Sequence, residues 1–252
     1  MNKKLRQKAI IEYVESVAEV SIHELVRLTE SSIATIRRDL LELHEQNKLI
    51  RTPGGARNIV QQQQSLVLRT FDQRRSHNAE AKLAIAAAAR KLVQPGMTIA
   101  IDSGTTCWQF ATLLTDIAPL RVITSAVAVI EALGDCEGIE LVVIGGVFRK
   151  NNLDFTGVRT VTAFQQFAVD MAFLGCDGFI AEGGIYTDDM ESHAISRAIA
   201  ESAEARVVLF DRQKVGKRHC CRILSPAEID CIITDARLEL PAGSRCQYIH
   251  AF

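Results

Sequence analysis

Asp102-Ser103-Gly104-Thr105-Thr106 gathers a carboxylate, three hydroxyls and a glycine into five consecutive residues. Residues 98–102 read as a short buried strand and 106–114 as a helix, so the segment lies where a strand hands over to a helix. Backbone N–H groups at that helix start, the helix dipole and the hydroxyls converge on one spot, and Gly104 permits a close backbone approach; a phosphate suits such a place. Taken alone, an ordinary Ser/Thr helix cap accounts for the same residues and comes first. A second reactive grouping is Arg37-Arg38 within S-S-I-A-T-I-R-R-D-L at 31–40, where paired guanidinium groups on a helix suit phosphates and the edges of bases.

The elements that must carry the arginine pair are legible. Ser32 is placed to cap a helix start. Ile33, Ile36, Leu40 and Leu43 recur at helical spacing and define one buried face. At about 100° per residue, Ala34, Arg38 and Leu41 project from the opposite side, with Arg37 on one flank and Thr35 on the other. Upstream, Ser21-Ile22-His23-Glu24 is a capping box that opens a supporting helix over 21–29. Ile10, Ile11, Val14 and Val17 mark a first amphipathic helix led by Lys3, Lys4, Arg6 and Lys8. Downstream, Pro53-Gly54-Gly55 turns between short flanks that carry Arg51 and Arg57, which predicts a hairpin wing. Three helices and a wing make a winged helix-turn-helix over 1–57, with Ser32, Ala34, Thr35, Arg37, Arg38, Arg51 and Arg57 as the expected contacts to double-stranded operator DNA.

A formal net charge of -1 is not that of a chain coated in DNA-binding charge, and residues 1–57 hold only ten Lys and Arg against eight Asp and Glu. Placement carries the reading instead: the four arginines belong to the reading helix and wing, the acids mostly to the supporting helices. A solvated charged face is the alternative. No uncharged apolar run nears the roughly 18 residues of a membrane span, and the Lys-rich start lacks a signal peptide's apolar stretch. A cytoplasmic location with no membrane partner is expected. Seven cysteines include no C-x-x-C pair, and adjacent Cys220 and Cys221 suit a shared zinc poorly. Reduced structural thiols are expected, with a redox switch as the alternative and no metal site.

Residues 58–78 contain Gln61-Gln62-Gln63-Gln64 and read as a linker. From residue 79 the texture changes to an Ala-rich helix over 81–93. Strand-like runs follow at 98–102, 121–124, 140–144, 171–175, 206–210, 231–234 and 247–252, with helices at 106–114, 126–133 and 190–203 among them. This alternation predicts an α/β domain over 79–252 around a mainly parallel sheet.

T-I-R-R-D-L at 35–40 followed by G-G-A at 54–56 resembles the DeoR-type family of bacterial regulators of sugar metabolism. Further matches run in order: D-S-G-T-T at 102–106, I-G-G at 144–146, F-L-G-C-D-G at 173–178, D-R-Q-K-V-G at 211–216 and I-T-D at 233–235. The resemblance implies a C-terminal sensor similar in fold to sugar-phosphate isomerases such as ribose-phosphate isomerase. A homodimer or homotetramer on DNA is expected, because one small module gives a limited interface and palindromic operators mirror a two-fold protein, and no cofactor is expected. The resemblance also implies a phosphorylated sugar as effector. On that footing the loop Asp102, Ser103, Gly104, Thr105 and Thr106 is the phosphate loop. Ser125 stands where the family has the Asn of T-N-S, Gly145-Gly146 and Arg149 are expected to approach the ligand, and Asp177 to accept hydrogen bonds from sugar hydroxyls. Turn glycines and surface charges are the local alternative, and only convergence at one mouth makes these residues a site. Glu191 and Lys214 occupy the positions of the family's helix acid and of its D-S-S-K-F-G lysine. The chain departs from the family at Glu30-Ser31-Ser32 for Gly-Val-Ser, at Pro53 for His, at Arg212-Gln213 for Ser-Ser, and at Ser196 where a lysine is frequent.

The expected function is a DNA-binding transcriptional regulator, a repressor of a carbohydrate-utilisation operon controlled by a phosphorylated sugar, with no catalytic residues. The alternative is an active sugar-phosphate isomerase carrying a DNA-binding appendage. Isomerisation needs a base over a carbon-bound proton and a group to stabilise the enediolate, and Asp102, Asp177, Glu191 and Lys214 include those types.

Overall fold

A computed structural model of the chain describes residues 3–17, 19–46, 48–52, 54–57, 71–241 and 243–252. Two compact units result, Met1–Arg69 and Thr70–Phe252. Pro53 and the linker run at 58–70, with Gln61 to Gln64, lie outside the described residues, as does the side chain of Arg57.

In the first unit, α1 (Lys3–Ser16) is followed by β1 (Glu19–Ser21), α2 (Ile22–Thr29), α3 (Ile33–Glu45), β2 (Ile50–Thr52) and β3 (Gly55–Arg57). Both expected caps form. Ser32 Oγ accepts the Thr35 N–H at 3.2 Å, and Ser21 and Glu24 close the reciprocal capping box, which satisfies N–H groups that a helix start leaves without partners. Ile36, Leu40 and Leu43 share a core with Ile10, Val14, Leu25 and Leu49. The wing is a three-stranded antiparallel sheet, β1-β3-β2, rather than a bare hairpin. A Cβ added at Gly55 would lie 1.8 Å from the Val20 carbonyl oxygen, so β1 can approach only a glycine there.

One side chain of α3 differs from its sequence reading, and a second takes a place that reading did not assign. Ile33 is 40% exposed instead of buried. Asp39, inside the buried arc, takes a core position: its carboxylate receives Arg6 Nε at 2.5 Å and Gln7 Nε2 at 3.2 Å. Lys3 likewise meets Glu42 at 2.7 Å. Part of the basic start of α1 therefore fastens α1 to α3.

The second unit opens with α4 (Phe71–Ser76), α5 (Ala79–Arg90), β4 (Thr98–Ile101), α6 (Thr105–Ala111), β5 (Leu120–Thr124), α7 (Val127–Leu133) and β6 (Ile139–Val143). A hairpin of β7 (Val147–Arg149) and β8 (Asp154–Thr156) follows, then α8 (Val158–Phe164), β9 (Val169–Leu174), β10 (Gly178–Ile180), β11 (Gly184–Thr187) and α9 (Met190–Glu201). The chain ends through β12 (Ala203–Leu209), β13 (Cys221–Leu224), β14 (Cys231–Thr234) and β15 (Gln247–His250).

Seven parallel strands form the central sheet in the order β15-β14-β12-β9-β4-β5-β6, and these are the seven strands that the apolar runs predict. Alternation sorts their side chains to two faces: Ile99, Ile101, Phe173 and Val207 enter one core, while Ala100, Ala172, Leu174 and Val208 enter the other. Strands β10, β11 and β13 form a separate antiparallel sheet. The chain lays β5 and β6 to one side of β4, then returns to add β9, β12, β14 and β15 on the other. The β4/β9 boundary is thus a topological switch point, the place where open α/β sheets hold ligands at their carboxyl ends.

The linker expectation over 58–78 needs correction at its end, because residues 71–76 form α4. Phe71 meets Trp108 edge-to-face at 6.2 Å, the Arg75 guanidinium lies 5.2 Å over the same indole, and the Phe71 N–H donates to the Asn151 carbonyl. No described helix is long and apolar enough to cross a membrane.

Candidate effector site and DNA-reading surface

Strand β4 delivers Asp102 to the switch point and stops. The turn Ser103-Gly104 follows, with Gly104 at φ +113°, a conformation that L side chains rarely adopt, and a Cβ there would meet nothing within 4 Å. Thr105 and Thr106 then open α6. No protein hydrogen bond engages the hydroxyls of Ser103, Thr105 or Thr106 among the described residues. Asp102 itself is buried, with Oδ1 accepting the Ser103 N–H and Oδ2 accepting the Ser196 hydroxyl, both at 2.7 Å. Burial pushes its carboxyl up to about 7, against the pull of those two donors, and the charge of Asp154 adds to the rise.

Across the switch point, Gly175 follows β9, and a Cβ there would lie 3.4 Å from the Ser103 carbonyl oxygen. Asp177 comes two residues later, where its Oδ2 accepts the Thr187 hydroxyl at 2.7 Å and Lys214 Nζ stands 3.7 Å from Oδ1. Lys214 is carried by a short 3-10 turn, Arg212–Lys214, capped by the buried Asp211. Four of the expected groups, Asp102, the hydroxyl loop, Asp177 and Lys214, therefore meet at the carboxyl ends of adjacent strands.

The remaining expected residues have other surroundings. Ser125, buried after β5, lends its carbonyl to the Phe155 N–H. Gly146 is a packing glycine, since a Cβ would fall 2.1 Å from Thr160 Oγ1 and 2.5 Å from the Thr156 carbonyl oxygen, and Gly145 is the open one of the pair. Arg149 holds Asp154 through two nitrogens, Nε to Oδ1 at 2.8 Å and Nη2 to Oδ2 at 2.6 Å, and it also pairs with Asp189. Burial works against its charge, but these carboxylates outweigh that and hold its pKa above the ordinary value. Its charge is already matched within the protein. Glu191 is mostly exposed and 3.6 Å from Arg149, at the rim.

Two basic residues reach the site from the segment that reads as linker and helix in the sequence. Arg74 on α4 donates to Asn152 Oδ1 at 3.0 Å, and its Nε is a buried donor with no partner among the described residues. Burial lowers its pKa, while the charges of Asp177 and Asp154 oppose the drop. Lys82 on α5 is buried, donating to the carbonyls of His77, at 2.6 Å, and Arg74. Burial brings its pKa down to about 8, with Asp211 opposing the fall and Lys214 and Arg74 adding to it. The signal available in the sequence was a lysine on the apolar face of the Ala-rich helix. A separate cleft of about 560 Å³ lies beyond Arg212 and is lined by Asn78, Asp235, His250 and Phe252, among others. Arg212 in it is already bound to Asp235 at 2.5 Å. All seven cysteines are free, with the Cys220 and Cys221 sulfurs 3.4 Å apart.

On the first unit, Ser32, Ala34, Arg37, Arg38 and Arg51 are exposed and Thr35 is half-buried. The Ser32 and Thr35 hydroxyls lie 2.9 Å apart within the cap, and β3 brings Arg57 into register with Ile50.

The DeoR-like helix-turn-helix domain matches residues 6–62, and the DeoR C-terminal sensor domain matches residues 77–236. The chain belongs to the DeoR family. As a DeoR-type protein it is a DNA-binding transcriptional regulator with a C-terminal sensor domain. The glycerol-3-phosphate regulon repressor of Escherichia coli (strain K12) is 31% identical over 236 residues, covering 94% of this chain and 92% of its own. The L-fucose operon activator of Haemophilus influenzae is 30% identical over 234 residues, covering 92% of each. Among solved structures, ribose 5-phosphate isomerase A from Methanocaldococcus jannaschii aligns over 56% of each chain, with a TM-score of 0.42 and 23% identity.

Proposed function

We propose that the sensor binds a phosphorylated sugar at the β4/β9 switch point and thereby changes the affinity of residues 1–57 for operator DNA, acting as a repressor. The phosphate rests on Ser103, Gly104, Thr105 and Thr106 with Arg74 beside it, and the sugar's hydroxyls or carbonyl face Asp102, Asp177 and Lys214. The observation that carries this reading is the convergence of unengaged hydroxyls, an unpartnered guanidinium nitrogen and Lys214 at the carboxyl ends of adjacent parallel strands. Gly146 and Arg149 support the walls of the site rather than touching the ligand, and Ser125 and Glu191 stand at its margin. A coupling of about 1 to 3 kcal/mol between effector and DNA suffices for such a switch.

Sensing is favoured over turnover by the state of the carboxylates. Asp177 is held by Thr187 and lies near Lys214, Glu191 is at the exposed rim beside Arg149, and Asp102 is hydrogen-bonded to Ser196. Each of the three already has a partner within the protein, as suits side chains that position a ligand. In the DNA-binding unit, Arg37 and Arg38 take the major groove or its phosphates and Arg51 and Arg57 the wing contacts. Two or four copies bind together, because palindromic operators match a two-fold protein.

A thermal-shift panel of phosphorylated sugars against the full chain tests the reading, since a ligand that binds only the folded state raises its stability by mass action. A sugar phosphate that raises Tm, while its dephosphorylated form does not, and that alters operator affinity is the expected result. Isotope exchange from solvent into that ligand would move the assignment to the isomerase reading.

A further inference from the structure

Ile33 opens α3 and is 40% exposed, whereas Ile36 is fully buried and Leu40 and Leu43 are 1% exposed. At about 100° per residue the buried arc of α3 runs through Asp39, Leu43, Ile36 and Leu40, and the exposed arc through Ile33, Arg37, Ala34 and Arg38. Ser32 and Thr35 spend their hydroxyls on the cap and on each other. Ile33 and Ala34 are therefore the first-turn side chains left to face outward, and Ile33 is the one with reach. Neither Arg37 nor Arg38 forms a salt bridge among the described residues. Leu41, on the same face, is eight residues on, about 12 Å further along the axis.

Two exposed guanidinium groups beside an aliphatic side chain complement a polyanion that presents an apolar group on the edge being read. In the major groove of duplex DNA that apolar group is the 5-methyl of thymine, since the other groups on the base edges there are hydrogen-bond donors and acceptors. We propose that Ile33 packs on a thymine methyl, so that each operator half-site carries a thymine under the first turn of α3. Arg37 and Arg38 lie alongside on phosphates or guanine. The inference rests on α3 being the DNA-reading helix and adds the base to which its first residue responds.

The test begins with in vitro selection of duplexes from a random pool by the full-length protein. Each thymine of the selected site is then replaced singly by uracil, which removes the methyl and leaves the hydrogen-bonding edge intact. One position per half-site should weaken binding about fourfold, the worth of one buried methyl. Ile33→Ala should bind the thymine duplex more weakly and be indifferent to uracil at that position alone, with an unchanged thermal midpoint. Uracil tolerated by the parent protein at every position, or the same uracil penalty in Ile33→Ala, overturns the assignment of Ile33 while leaving α3 as the reading helix. A selection that enriches no duplex overturns both together.

Discussion

Replacing Asp102 by Asn should stabilise the sensor unit, and by more at high pH than at low. The carboxyl is buried, and its proton is held up to about 7 against an ordinary value of 3.8. Below the ordinary value the folded and unfolded chains both carry the proton, and burial of a charge costs nothing. Between about pH 4 and pH 7 the unfolded chain releases it while the folded chain does not, so stability is lost progressively through that window and then levels off. At 1.36 kcal/mol per pH unit the full loss is about 4 kcal/mol. Asn keeps the shape: its amide oxygen can accept the Ser103 N–H, and its nitrogen can donate to Ser196 Oγ, which now stand 2.7 Å from the two carboxylate oxygens.

Asp102→Asn should therefore gain about 3 kcal/mol more, relative to the parent, at pH 8 than at pH 5. For a unit of this size that corresponds to roughly 6 to 12 °C in Tm. The one tryptophan, Trp108, lies on α6 directly behind the loop, so its fluorescence follows the sensor unit alone through denaturant unfolding. A gain that is the same at both pH values would refute the argument, because it would mean that Asp102 ionises as an exposed carboxylate does. The same titration bears on binding. A dianionic ligand beside Asp102 favours its protonated form, so effector affinity should fall as pH rises beyond about 7, and Asp102→Asn should flatten that dependence.

Thr105→Val and Arg74→Ala should each weaken the effector identified by the thermal-shift panel by about 1 to 3 kcal/mol in calorimetry, leaving ligand-free operator binding unchanged. Asp39→Ala strips a buried carboxylate from Arg6 and Gln7 and should cost the DNA-binding unit about 3 to 5 kcal/mol, seen as loss of helical circular dichroism and operator binding at a temperature where Trp108 still reports a folded sensor. Glu30 ends α2 in the left-handed region at φ +50°, so Glu30→Gly should relieve about 1 kcal/mol of strain and raise the circular-dichroism midpoint of that unit.

What the sequence made legible follows the range of the forces involved. Strands buried on both faces read as short apolar runs, and all seven of the parallel sheet were visible that way. Caps were visible too, since Ser32 with Thr35 and Ser21 with Glu24 act over three residues. Contacts across long separations were not. Nothing near Asp39 in the chain says that Arg6 will neutralise it, which is why Asp39 joined the buried arc unannounced and Ile33 was assigned inward by period alone. The short strand β1 is only three residues long and is defined by its pairing with β3, so no local pattern marks it.

The site divides along the same line. The strand-to-helix placement of the D-S-G-T-T turn is local chemistry and was readable, whereas Asp177 and Lys214 entered the candidate site only through motifs that resemble the family's. Arg74 and Lys82 matter only because α4 folds back: Phe71 and Arg75 pack on Trp108, and Lys82 ties the carbonyls of Arg74 and His77 from below. Ser196 shows the limit from the other side. As a departure from a family lysine it reads as a lost charge, yet its hydroxyl is the donor that meets Asp102 at 2.7 Å. With a hydroxyl as its side-chain donor, the buried carboxylate has a dipole to lean on but no counter-charge, and burial prevails in setting its proton affinity near neutrality. Asp102 is thereby a group whose charge depends on pH, and an anion bound beside it would favour its protonated form.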